Sequence, residues 1–78
     1  MRELIDYIAS SLVDDPTQVS VEEHQRGSQT ILKLRVAKED MGRVIGKGGK
    51  VANAMRILLR VAAACSDKRA ILDIVEPE

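Results

Sequence analysis

The fold class this sequence predicts is α+β, with three helices covering one face of a three-stranded mixed sheet in the order helix, strand, strand, helix, helix, strand. The prediction rests first on apolar spacing, which is helical at the start, alternates over two consecutive runs, returns to helical around a glycine-rich interruption and alternates once more at the end. The connections supply the rest. A tight turn makes the first two strands antiparallel, and two helices between the second and third strands suit a right-handed crossover joining parallel neighbours.

Residues 2–13 carry Leu4, Ile5, Ile8 and Leu12 at helical spacing beside Asp6, Ser10 and Ser11, predicting an amphipathic helix. Asp14-Asp15-Pro16 ends it, because proline lacks an amide hydrogen and restricts the residue before it. Val19 and Val21 alternate with Ser20 and Glu22, predicting a strand over residues 18–25 with one wet face. Arg26-Gly27-Ser28-Gln29 supplies the turn into a second strand, residues 30–37, with Leu32, Leu34 and Val36 inward and Ile31, Lys33 and Arg35 outward. Glu39 and Asp40 then open a short helix with charges suited to a helix N-terminus, and Met41, Val44 and Ile45 share one side of it. A loop over residues 46–49 leads to a long helix over residues 50–65, Asp67-Lys68-Arg69 turns the chain, and residues 70–75 form the last strand with Leu72 and Ile74 inward. Pro77 closes the chain.

At 78 residues the chain has room for one domain over residues 1–78 and one core, which its 45% hydrophobic content permits. Tyr7 is the one aromatic residue available to that core, so aliphatic side chains and methionine must do the packing. Cys65 is the sole cysteine and His24 the sole histidine, which excludes an internal disulfide and a four-ligand zinc site and fits a reducing cytoplasm. No apolar stretch suits a signal peptide or a membrane span, so neither secretion nor a membrane partner is expected. The sequence shows no nucleophile paired with a base, no metal cluster and no cofactor pattern, so an enzyme is the least supported class. Cys65 is expected as core packing and His24 as a surface strand residue.

Net charge is zero, but its distribution is uneven. Residues 1–32 hold two basic and six acidic side chains, residues 33–60 hold eight basic and two acidic, and residues 61–78 hold two basic and four acidic. A neutral molecule with such segregation can present a positive face to a polyanion.

In that basic segment lies Val44-Ile45-Gly46-Lys47-Gly48-Gly49-Lys50. Glycine reaches positive φ and admits another backbone closely, lysine adds charge, and the following helix would begin with unpaired amides and the positive end of its dipole. Phosphate suits such a place. The nucleotide-triphosphatase loop does not fit, because only three residues separate Gly42 from Gly46-Lys47 and Gly48 stands where Ser or Thr is needed. The dinucleotide fingerprint fails as well, since Val51 occupies the place of its third glycine.

What remains is a GXXG loop between two helices, and Val44-Ile45-Gly46-Lys47-Gly48-Gly49 resembles the signature of the KH domain, whose GXXG loop clamps the backbone of single-stranded nucleic acid. Over essentially its whole length the chain is similar to small stand-alone bacterial KH proteins of the KhpA type. The order of elements resembles the type II arrangement of KH domains. The resemblance implies single-stranded RNA as partner, with Gly46, Lys47, Gly48, Gly49 and Lys50 at the backbone, Arg43 reaching a neighbouring phosphate and Val44 as a groove wall beside Ile45 in the core. It also implies a post-transcriptional role, such as RNA chaperoning connected with cell growth and division, together with a homodimer or a heterodimer with a larger KH protein of the KhpB type. No cofactor is implied.

The long helix is expected to bury Val51, Ala54, Met55, Leu58, Ala62 and Cys65 and to turn Asn53, Arg56 and Arg60 outward. Ile57, Val61 and Ala64 form an adjoining apolar row with nothing inside the domain to cover, a candidate dimer interface. The competing functional class is therefore a protein-interaction module that uses the same fold as a dimerising scaffold.

Overall fold

The computed structural model describes residues 1–76, so Pro77 lies outside the described residues. The chain forms α1 (Arg2–Leu12), β1 (Ser20–Arg26), β2 (Gln29–Arg35), α2 (Met41–Ile45), α3 (Lys50–Cys65) and β3 (Arg69–Ile74), in the expected order. Short 3₁₀ turns at Pro16–Gln18, Lys38–Asp40 and Lys47–Gly49 link them.

The sheet has the order β1-β2-β3, with β1 antiparallel and β3 parallel to the central β2. Gly27 and Ser28 make a two-residue hairpin between the paired Arg26 and Gln29. Gly27 has φ +59° and Ser28 does not share its positive φ, the pattern of a type II′ turn, which matches the twist of the strands it joins. One face of β2 is buried through Thr30, Leu32 and Leu34. Thr30 stays satisfied there by donating from Oγ1 to Gln25 Oε1 at 2.7 Å.

The helices lay Ile5 and Ala9 of α1, Val44 of α2, and Ala52, Met55, Leu59 and Ala63 of α3 into the core with Leu32, Leu34, Val36 and Leu72. α3 ends in a Schellman arrangement, with the Lys68 amide donating to the Ala63 carbonyl at 2.9 Å and the Asp67 amide to the Ala64 carbonyl at 3.1 Å. Asp67 takes the left-handed position, φ 56°, that glycine usually fills.

Several expectations are corrected here. Tyr7 is 74% exposed and plays no part in the core, because it lies two positions from both Ile5 and Ala9 and so points away from the buried stripe of α1. On α3 the buried residues fall at 52, 55, 59 and 63, so Ala54, Leu58 and Cys65 are exposed rather than packed. Met55 alone of the expected stripe is fully buried, while Val51 and Ala62 are half-buried.

Candidate nucleic-acid interface

α2 is five residues long and is anchored by Val44, which is 0% exposed. It stops at Gly46, whose φ of 76° and ψ of 173° lie in a region open essentially to glycine alone. The Gly46 amide still donates to the Gly42 carbonyl at 2.9 Å, so the turn grows directly out of the helix. A Cβ on Gly46 would stand 2.5 Å from Val51 Cγ2 and 2.8 Å from the Val51 amide nitrogen. The loop is thus folded hard against the first turn of α3.

Gly48 and Gly49 continue with φ of 65° and 79°, both in the left-handed region, and neither would meet another atom with a Cβ in place. The Gly49 amide donates to the Gly46 carbonyl at 3.2 Å, closing the turn. No side chain caps α3 at Gly49, which leaves the amides of its first turn free of a side-chain acceptor beside the loop. Lys47, Gly48 and Lys50 are exposed. Among the described residues neither lysine forms an ion pair.

Further basic residues lie along α3. α3 bears Lys50, Arg56 and Arg60 and no acidic residue. Arg56 and Arg60, four residues apart, line a cleft of about 150 Å³ between α3 and β3 over Ala70, Ile71 and Leu72. A second hollow of about 450 Å³ adjoins it, lined in part by Arg60, Lys68 and Arg69. Lys38, Met41, Ile45 and Glu76 line a further hollow of about 320 Å³.

These positions revise two expected roles. Val44 is buried in the core rather than forming a groove wall, while half-buried Ile45 packs against the core as expected and also lines the hollow. Arg43 is not free: its Nη2 donates to Asp14 Oδ2 at 2.9 Å and its Nε lies 3.4 Å from Asp40 Oδ1. Arg56 and Arg60 are exposed, as expected, and also line the cleft against β3. Their four-residue spacing is visible in the sequence, but the side of α3 that meets β3 is not.

The profile of the KhpA/KhpB KH-domain family matches residues 2–74, nearly the whole chain. The chain belongs to this KH-domain family. RNA-binding protein KhpA of Clostridium acetobutylicum is 45% identical over 75 residues, 96% of this chain and 100% of its own length. RNA-binding protein KhpA of Treponema pallidum is 49% identical over 75 residues, 96% of this chain and 94% of its own. Among solved structures, Era of Aquifex aeolicus bound to GDP and AlF4 shares the fold with a TM-score of 0.62 at 16% identity, covering 94% of this chain and 28% of that one. The KhpA relatives carry names of RNA-binding proteins, not of enzymes. The helix-strand-strand-helix-helix-strand order is thus the KH fold of the KhpA/KhpB family. Among the described residues, no helix is long and apolar enough to cross a membrane.

Proposed function

We propose that this KH-domain chain binds single-stranded RNA in the cytoplasm by closing residues 46–50 around its sugar-phosphate backbone, as a post-transcriptional regulator or RNA chaperone. The observation that carries the reading is the loop itself. Three glycines at positive φ bring two exposed lysines to the uncapped start of a sixteen-residue helix, with no side chain at Gly48 to obstruct a phosphate. The names of the KhpA relatives support it.

Chemically, the clamp works by position and charge. The first amides of α3 point at an anion and the helix dipole favours it there. Lys47 and Lys50 neutralise adjoining phosphates, and the strand then follows the α3–β3 cleft past Arg56 and Arg60, whose guanidinium planes offer stacking surfaces to bases. Phosphate contacts position a strand without reading its sequence, and Tyr7, the sole aromatic residue, lies on α1. Binding is therefore expected to be about micromolar and tolerant of sequence. If about three phosphates are neutralised, the logarithm of the affinity falls against that of salt with a slope of about −2.

The test is the double change Lys47→Asp and Gly48→Asp. Aspartate tolerates the left-handed conformation of Gly48, φ 65° and ψ 19°, so the fold is expected to survive while charge at the mouth reverses. Fluorescence anisotropy with labelled RNA is expected to show binding lost, with circular dichroism unchanged. Retained binding removes the loop from the mechanism.

A second reading, a homodimerising scaffold or one that pairs with a larger KH protein, is favoured by one observation: Ile57 at 57% and Val61 at 59% exposure form an apolar row on α3 with exposed Ala64, and Leu58 at 49% adds to it. The two readings are compatible, since this strip and the loop occupy different parts of the molecule.

A further inference from the structure

Asp40 is the one charged side chain buried among the described residues, at 2% exposure. A carboxylate in that position is tolerated only when its oxygens are met by donors. Here Oδ1 accepts from the Asp14 amide at 3.1 Å and Oδ2 from the Asp15 amide at 3.2 Å. Both amides belong to the connection between α1 and β1, 26 and 25 residues earlier in the chain. Arg43 closes the ring by reaching Asp40 through Nε at 3.4 Å and the Asp14 carboxylate through Nη2 at 2.9 Å.

This ring surrounds an element that cannot orient itself. α2 has five residues, too few to be stable as an isolated helix, so its direction is set by what it is fastened to. Val44 fastens one side in the core, and Asp40 and Arg43 fasten its first turn and its outer side to the α1–β1 connection. One residue beyond α2 stands Gly46, packed so closely that a Cβ there would lie 2.5 Å from Val51 Cγ2. A small tilt of α2 is therefore transmitted to residues 46–49.

We propose that Asp40 and Arg43 are positioning residues for the RNA clamp, with Arg43 acting through the Asp14 and Asp40 carboxylates to aim the glycine loop rather than touching phosphate itself. This rests on the reading of residues 46–50 as the clamp. Asp40 is then more than the dipole-compatible N-terminal charge of a short helix: it is the joint between two segments distant in sequence.

The experiment compares the full chain with its Asp40→Asn, Arg43→Gln and Lys47→Asp/Gly48→Asp variants. Loop amide shifts of Gly46, Gly48 and Gly49 are recorded by NMR in the free proteins, and binding of labelled poly(U) RNA is measured across a salt series. Asp40→Asn keeps the side chain's size but turns one acceptor into a donor facing a backbone amide. Both Asp40→Asn and Arg43→Gln are expected to move the loop amides before any RNA is added. Both are expected to weaken binding about tenfold with the wild-type salt slope preserved. A clasp that is merely structural lowers the melting temperature, leaves the loop amides in place and leaves the folded protein's affinity unchanged; that result overturns the proposal. So does an Arg43→Gln protein with unmoved loop amides and a slope shallower by about 0.7, the mark of a lost phosphate contact. If Asp40→Asn fails to fold, Arg43→Gln decides alone by the same readouts, because it leaves in place both hydrogen bonds that the Asp14 and Asp15 amides donate to Asp40. Wild-type binding by the Lys47/Gly48 variant instead refutes the clamp, and the amide shifts in the free proteins still report on the clasp.

Discussion

Gly46, Gly48 and Gly49 look equivalent in the sequence, yet the structure asks different things of them. Gly48 and Gly49 occupy left-handed conformations that asparagine or aspartate can adopt, with open space around them. Gly46 combines a glycine-only conformation with a back-folded Val51, so alanine there faces both backbone strain and a clash with a neighbouring main-chain nitrogen. Strain of about 1–3 kcal/mol and overpacking of about 1–3 kcal/mol act together in Gly46→Ala. Since about 1 kcal/mol moves the melting temperature of a small domain by about 4–8 °C, a loss of roughly 10 °C or more is expected by calorimetry. Gly48→Asn is expected to stay within about 1 kcal/mol of the parent; equal losses from both changes contradict the back-folded loop. The motif was legible because Val44-Ile45, three glycines and two lysines fall together between two helical runs. Which glycine is sterically indispensable was not, because it depends on where Val51 lands. The full burial of Val44 was hidden for a similar reason, since two adjacent apolar residues give no periodic signal as to which is the more buried.

At the scale of elements, sheet order and strand directions could be read directly, because alternation and connection length constrain them tightly. The facing of α3 could not. Val51, Ala52, Ala54, Met55, Ile57, Leu58, Leu59, Val61, Ala62, Ala63, Ala64 and Cys65 surround the helix with apolar groups, so several stripes of helical period fit almost equally well. Packing against β3 and α1 selects the stripe through Ala52, Met55, Leu59 and Ala63. The clasp through Asp40 was equally hidden, because a link spanning 26 residues leaves no local mark. On the open face of the sheet, Glu22 of β1 pairs diagonally with Arg35 of β2 and lies 3.4 Å from His24 Nε2. The hydrogen bond from Arg35, and after it the one from His24, holds the Glu22 carboxyl below its ordinary range. A depressed carboxylate stabilises the fold at pH above its unfolded value of about 4.3, and that contribution disappears as pH falls through the lower folded value. The melting temperature is accordingly expected to drop on acidification below about pH 4.5. Glu22→Gln is expected to melt lower at neutral pH and to flatten that drop. Thermal scans across the acid range check this, and an unaltered pH slope in the variant excludes Glu22 as a contributor.

The molecule as a whole is electrically neutral but divided: α1, its connection and β1 hold six of the twelve acidic residues, while every charged residue of α3 is basic. That division explains how a chain of zero net charge can carry a cationic loop and cleft. It also bears on the apolar strip of Ile57, Leu58 and Val61, which lies on the same helix as Arg56 and Arg60. A two-fold pairing of α3 with a second copy would cover the strip and leave both arginines at its margin, where solvent screens their repulsion. Sedimentation is then expected to give twice the 8.6 kDa chain mass, more completely as salt rises. Val61 is 59% exposed, so Val61→Glu leaves the core intact and places a carboxylate in the centre of the paired strip. That variant is expected to sediment as a monomer with an unchanged circular dichroism spectrum. Its affinity for short RNA is expected to match the parent, whereas affinity for RNA long enough to reach two loops falls, because linkage of two weak sites is lost. A parent chain that stays monomeric, or a variant that stays dimeric, excludes this face as the interface. Equal affinity of monomer and dimer for long RNA would mean that each loop acts alone, and the pairing would then serve stability instead, for a domain whose small core leaves much of its surface in water.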